Sequence, residues 1–210
     1  METPQEFIER TQSAVESLFI GIDSYMRILR RARPPVLVGT YSNETEHEVA
    51  LERWMKENAD AIEAGFEAQR AFMSEKYALT VLCGSLLQVA STAIRLYSKN
   101  SHIPDEFLDI VKDSHAPFCI GRRVREVPIG LVVIAARNQY NLIEDQKLHF
   151  LSSTVFEWLA TKHGYGTDLR DPAFDLKKQL AWNYASNITG LLGWRKYKNY
   201  EHDMRSMLGI

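Results

Sequence analysis

An unbroken apolar run, Ile129-Gly130-Leu131-Val132-Val133-Ile134-Ala135-Ala136, ends abruptly in Arg137-Asn138-Gln139-Tyr140-Asn141. Leaving any face of such a run in water carries a penalty of about 25 cal/mol for every Å² of apolar surface, so the run must be a core element. Pro128, which lacks an N–H, suits the first helical turn, where that donor has no partner to lose. A buried stem therefore presents a guanidinium and three amides where it leaves the core. That junction reads either as a binding site or as the polar end of a core helix.

The remaining sequence frames this stem as one compact body. A chain of 210 residues is long enough for one good core, and two full domains would be crowded. Hydrophobic residues make up 45% and charged residues 25%, the proportions of a globular protein rather than a disordered or fibrous one. A formal net charge of -2 gives no global attraction to nucleic acid or anionic membrane, so any such binding must come from a local patch. Cys83 and Cys119 are the two cysteines, and no secretory leader is recognisable, so a cytoplasmic setting is expected. Residues 78–97 have the length of a membrane span, but Gln88, Arg95 and several Ser, Thr and Gly residues dilute them, and a buried core helix is expected instead.

In chain order, Thr3-Pro4-Gln5-Glu6 is a helix start, followed by Phe7, Ile8, Val15, Leu18, Phe19, Ile22, Tyr25, Met26 and Leu29 at helical spacing. Arg27, Arg30, Arg31 and Arg33 suit the negative helix terminus, and Pro34-Pro35 stops it. Asn43 caps the next helix, whose many glutamates form a solvated face reaching about Gln69. Residues 70–99 form the apolar helix, and Ile103-Pro104-Asp105-Glu106 opens a short one. A helix over about 148–162 follows the stem, and a last helical region runs from Asp171-Pro172 to Leu208, with Gly190 and Gly193 as bending points. Within it, Gly193 to Tyr200 mixes bases with aromatics, as surfaces for single-stranded nucleic acid do. Tyr197, Tyr200, Met204 and Leu208 also share one helical stripe, which favours core packing with an exposed basic edge.

No segment alternates with period two for long, and no Asn-Gly or Asp-Gly separates strand-like runs. The expected fold is all-α, a single-domain helical bundle. Residues 1–69 form an N-terminal helical hairpin packed on a body of residues 70–210.

The glycine patterns of phosphate and dinucleotide loops, the Gly-x-Ser-x-Gly elbow and His-Glu-x-x-His are all absent. His115 and Cys119 are spaced for a shared metal, but two further ligands are not nearby, so neither metal nor cofactor is expected. Arg122, Arg123 and Arg125 precede the stem by a few residues, and a turn that folds them back would bring them near Arg137.

Arg137-Asn138 at the end of an apolar helix in an all-helical chain resembles the HEPN superfamily (higher eukaryotes and prokaryotes nucleotide-binding domains). Its ribonuclease members carry Arg, a polar residue often Asn, a few variable positions and then His. The resemblance covers roughly residues 70–208 and implies Arg137 and Asn138 as remnants of a catalytic motif. It also implies a homodimer in which both copies of Arg137 meet in one cleft. The chain departs from the motif where the histidine would stand: Leu142 occupies that position, between Asn141 and Ile143.

The departure matters chemically. Metal-independent RNA cleavage needs a base for the ribose 2'-hydroxyl and an acid for the leaving oxygen, and loss of one such group forfeits about 10²- to 10⁴-fold in rate. Arginine stabilises phosphorane charge but has too high a pKa to exchange a proton at neutral pH. Glu144 and Asp145 would repel the phosphate, and His149 lies about two helical turns beyond Asn141.

The leading expectation is a dimeric RNA- or nucleotide-binding module with weak or no ribonuclease activity. It would use Arg137, Asn138, Asn141 and the arginines at 122, 123 and 125. In the alternative, a structural or protein-interaction bundle, Arg137 pairs with a carboxylate near the core and the amides cap helix ends. A third reading is an active endoribonuclease with an unrecognised base.

Overall fold

The computed structural model describes residues 3–31, 35–141, 148–164, 166, 169–176 and 183–210. The protein is an all-α bundle of helices with, among the described residues, one minimal β-hairpin. Its contacts gather into two units, Met1–Ile22 with Leu79–Ile210, and Asp23–Ala78. The start of the first helix thus belongs with the larger unit, which differs from a division at residues 69 and 70.

Helix α1 (Pro4–Arg31) begins with a reciprocal cap. The Glu6 N–H donates to Thr3 Oγ1 at 3.2 Å, and the Thr3 N–H donates to Glu6 Oε2 at 2.8 Å. Two otherwise orphaned donors are satisfied at once. In the larger unit α1 buries Ile8, Val15, Phe19 and Ile22, a stripe at helical spacing. Phe7 meets Tyr97, and Phe19 meets Tyr200.

In the unit Asp23–Ala78, helix α2 (Glu44–Glu57) starts at Asn43, whose Oδ1 accepts the Glu46 N–H at 2.9 Å. No residue of α2 is buried. Asn58 ends it, its backbone N–H and side-chain amide both donating to Trp54 O at 3.0 and 2.8 Å. Helix α3 begins at the next residue and runs over Ala59–Tyr97. A break near residue 69 was expected, but the acidic surface pattern continues across Asn58 and conceals the real one.

The part of α3 in the larger unit buries Leu79, Cys83, Leu86, Leu87, Ala90, Ala93 and Ile94. By length and composition α3 passes for a membrane span, yet 56% of its most apolar window is buried inside the protein, as expected of a core helix.

Two 3₁₀ turns, Asp105–Phe107 and Asp113–Phe118, lead into strands β1 (Arg123–Val124) and β2 (Val127–Pro128). The strands pair antiparallel, Arg123 opposite Pro128 and Val124 opposite Val127. Arg125 and Glu126 form the turn at φ 48° and 67°, a left-handed conformation normally given to glycine or asparagine. Pro128 therefore closes a strand instead of opening the helix.

Helix α4 (Ile129–Asn141) follows, with every residue from Ile129 to Ala136 buried. Its first turn lies so close to the 3₁₀ turn that a Cβ on Gly130 would stand 2.4 Å from the Phe118 carbonyl oxygen. Helix α5 (Phe150–Thr161) packs along α4 through Leu151, Val155, Phe156 and Leu159.

Among the described residues the last region contains helices α6 (Ala185–Leu191) and α7 (Tyr197–Leu208), parted at Gly193 with φ 69°. Trp194 and Tyr200 are fully buried edge to face, while Arg195, Lys196 and Lys198 are exposed. This is core packing with a basic edge.

Candidate functional site

The polar end of α4 is positioned by its contact with α3. A Cβ on Gly84 would fall 2.3 Å from the Tyr140 ring, so the absence of a side chain there lets the two helices approach. One turn further along α3, Gln88 Oε1 accepts a hydrogen bond from Arg137 Nε at 2.8 Å. Arg137 Nη1 also donates to Asn138 Oδ1 at 3.2 Å. The arginine is half-buried, Gln88 is exposed and Asn141 is exposed at the helix end.

Among the described residues, no carboxylate pairs with Arg137. Its partners are amide oxygens, which orient the guanidinium and leave its full charge uncompensated. Such a group can bind an anion without first breaking an ion pair.

Gln139 points the other way. It is buried, and its Oε1 accepts the Tyr184 N–H at 3.1 Å. This one of the three amides therefore serves the core.

The arginines before the stem lie at its opposite end. The Arg122 carbonyl accepts the Ile129 N–H at 2.9 Å, and the eight residues from there to Arg137 span about 12 Å of helix. The turn at Arg125 and Glu126 does not fold them back onto Arg137.

Each of the three also has a carboxylate partner. Arg122 grips Asp203 with Nε and Nη2, both at 2.9 Å, and the buried Trp194 indole N–H donates to the same carboxylate at 2.8 Å. Arg123 pairs with Glu106 and lies over the Phe107 ring. The hydrogen bond from Arg123, joined by the Glu106 backbone N–H, holds the Glu106 carboxyl below its ordinary pKa. Arg125 donates to Leu159 O and to Asp171 Oδ2, the latter at 2.6 Å, and stacks on Phe174. Burial pushes the Asp171 carboxyl up, but hydrogen bonds from Arg125 and the Ala173 N–H, with the charges of Arg125 and His163, carry it below its usual value. These pairs brace the hairpin and the start of α4.

Leu142, Ile143, Glu144 and Asp145 lie outside the described residues. His149, just before α5, is exposed. Among the described residues, no three His, Cys, Asp or Glu side chains gather to hold a metal ion. Burial pushes the Cys83 and Cys119 thiols up to about 11, so both are protonated and poor ligands or nucleophiles near neutral pH.

Gln88 escaped the sequence reading because nothing local marks it as the partner of a residue 49 positions later. Comparisons with known protein families, with curated proteins and with solved structures found no match.

Proposed function

We propose that the chain is a HEPN-like helical protein that binds RNA or a nucleotide as a homodimer, with little or no ribonuclease activity. The observation that carries this reading is the state of Arg137: half-exposed, oriented by Gln88 and Asn138, and free of any carboxylate among the described residues. In this reading Arg137 contacts a phosphate oxygen, and Asn138 and Asn141 offer amide hydrogen bonds to phosphate, sugar or base. Arg122, Arg123 and Arg125 are left out of the contact set, because each already neutralises a carboxylate. The pairing of two copies follows from the resemblance and doubles the positive charge in one cleft. Weak catalysis follows from Leu142, which can neither take nor give a proton.

A second reading, a protein-interaction module, draws on α3, where Phe66, Met73 and Tyr77 are all exposed at helical spacing.

RNA binding and cleavage with EDTA present, using the chain as it stands, Arg137→Ala and Leu142→His, test the proposal. The chain is expected to bind without cutting, Leu142→His to gain cleavage, and Arg137→Ala in that background to abolish it. RNA binding by no variant would reject the proposal in favour of protein partners.

A further inference from the structure

A second uncompensated group of positive side chains lies in the same larger unit and owes nothing to Arg137. Arg95 is exposed near the end of α3, its guanidinium carbon 5.4 Å from the centre of the Phe118 ring. His115 is half-buried in the 3₁₀ turn Asp113–Phe118, its own ring 6.4 Å from that of Phe118. One aromatic side chain thus carries an arginine and an imidazole together. Lys112, exposed, precedes the same turn, and its carbonyl accepts the His115 N–H at 2.8 Å.

Burial lowers the His115 pKa, and the charges of Arg95, His149 and Lys112 lower it further. Ser114 Oγ lies 3.3 Å from His115 Nδ1, which leaves Nε2 to meet a ligand. Among the described residues, neither Arg95 nor Lys112 has a carboxylate partner. Arg95 from α3 and Lys112 beside the turn, with Asp113 next to Lys112 making no ion pair to either, leave positive charge that a bound anion would neutralise.

We propose that Arg95, Lys112 and His115 form an anion site for a phosphate group, whether of a free polyphosphate or of a nucleic-acid backbone. Arg95 supplies a planar fork for two phosphate oxygens and Lys112 a point charge. His115 donates from Nε2, and a bound phosphate draws a second proton onto its ring. Binding therefore tightens as the pH falls toward the titration of the His115 imidazole. The site stands on its own geometry: Arg95 is seven residues beyond Gln88 on α3, about 10 Å along the axis, so one extended strand could touch both sites and a small anion only one.

The test is titration of the full chain with inorganic pyrophosphate and, separately, with a short oligouridylate whose phosphodiester charge is constant between pH 8 and pH 6. Calorimetry reads affinity, and NMR follows the His115 ring proton. Arg95→Gln and Lys112→Gln, both at exposed positions, are expected to weaken binding about tenfold or more each, as the loss of one hydrogen bond to a charged group does. The His115 pKa should rise on binding, and affinity for oligouridylate should grow at the lower pH. Arg137→Ala should leave the pyrophosphate-induced shift of the His115 ring proton unchanged, which separates this site from the one at the end of α4. Binding of both probes with this sensitivity supports a general phosphate site, and binding of oligouridylate alone supports a backbone site. If affinity for both probes ignores Arg95→Gln and Lys112→Gln, or if the His115 proton does not move, the proposal is overturned.

Discussion

Asp203 is buried under an arginine and a tryptophan, with Arg122 arriving from 81 positions away. Removing this carboxylate strands the buried Trp194 N–H and the Arg122 fork together. Asp203→Ala is expected to lower stability by about 1–3 kcal/mol in urea denaturation, the cost of leaving a buried donor unpaired. Tyr200 presents the opposite case. Its hydroxyl is buried with no hydrogen-bond partner among the described residues, and burial drives its pKa well above the ordinary 10. The folded state holds the neutral phenol, so this contribution to stability is complete below pH 10 and is lost as pH rises beyond it. Tyr200→Phe should therefore keep or raise the melting temperature at pH 7 and flatten the loss of stability above pH 10. Neither residue announces its role in sequence, because an aspartate in a helix reads as surface until its distant partner is known.

At the scale of elements, the approach of α3 to α4 rests on one missing side chain. In Gly84→Ala the better helix former gains about 1 kcal/mol. Its Cβ, however, would stand 2.3 Å from the Tyr140 ring, and overpacking of this kind costs about 1–3 kcal/mol. A net loss of stability is expected, and Tyr140→Ala in that background should remove it, a coupling that a double-mutant cycle measures. RNA affinity should fall with Gly84→Ala as well, since Gln88 and Arg137 meet one turn away.

Helix starts were legible wherever a cap is local, as at Thr3 with Glu6 and at Asn43. The apolar stem was legible because eight consecutive residues leave it no wet face. The hairpin was not, because Arg125 and Glu126 stand where glycine or asparagine would signal a turn, and their conformation is held by partners distant in sequence: Leu159 and Asp171 for Arg125, Lys162 for Glu126. The same distant partners explain why three arginines that look like a binding cluster in sequence become braces in the fold.

For the whole molecule, buried apolar side chains are concentrated in one of the two units. In Asp23–Ala78, Gly65 is the one buried position among the described residues. Few buried contacts mean cheap local opening. Amide hydrogen exchange should be faster in α2 and in residues 59–78 of α3 than in residues 79–97 of the same helix, and uniform protection along α3 would contradict this. The candidate site at the end of α4 lies within the better-packed unit, as a site that must hold one guanidinium in one orientation requires.

RNA binding as proposed turns on Arg137 as an anion contact, and the most direct test is RNA affinity as a function of salt. Fluorescence anisotropy with single-stranded RNA would compare the unaltered chain, Arg137→Ala and Arg123→Ala, an exposed arginine already neutralised by Glu106. Arg137→Ala should weaken binding about tenfold or more, and its salt slope should fall by about one per site. Arg123→Ala should do neither. Equal effects of the two substitutions, or none from Arg137→Ala, would contradict the account and return the end of α4 to architecture.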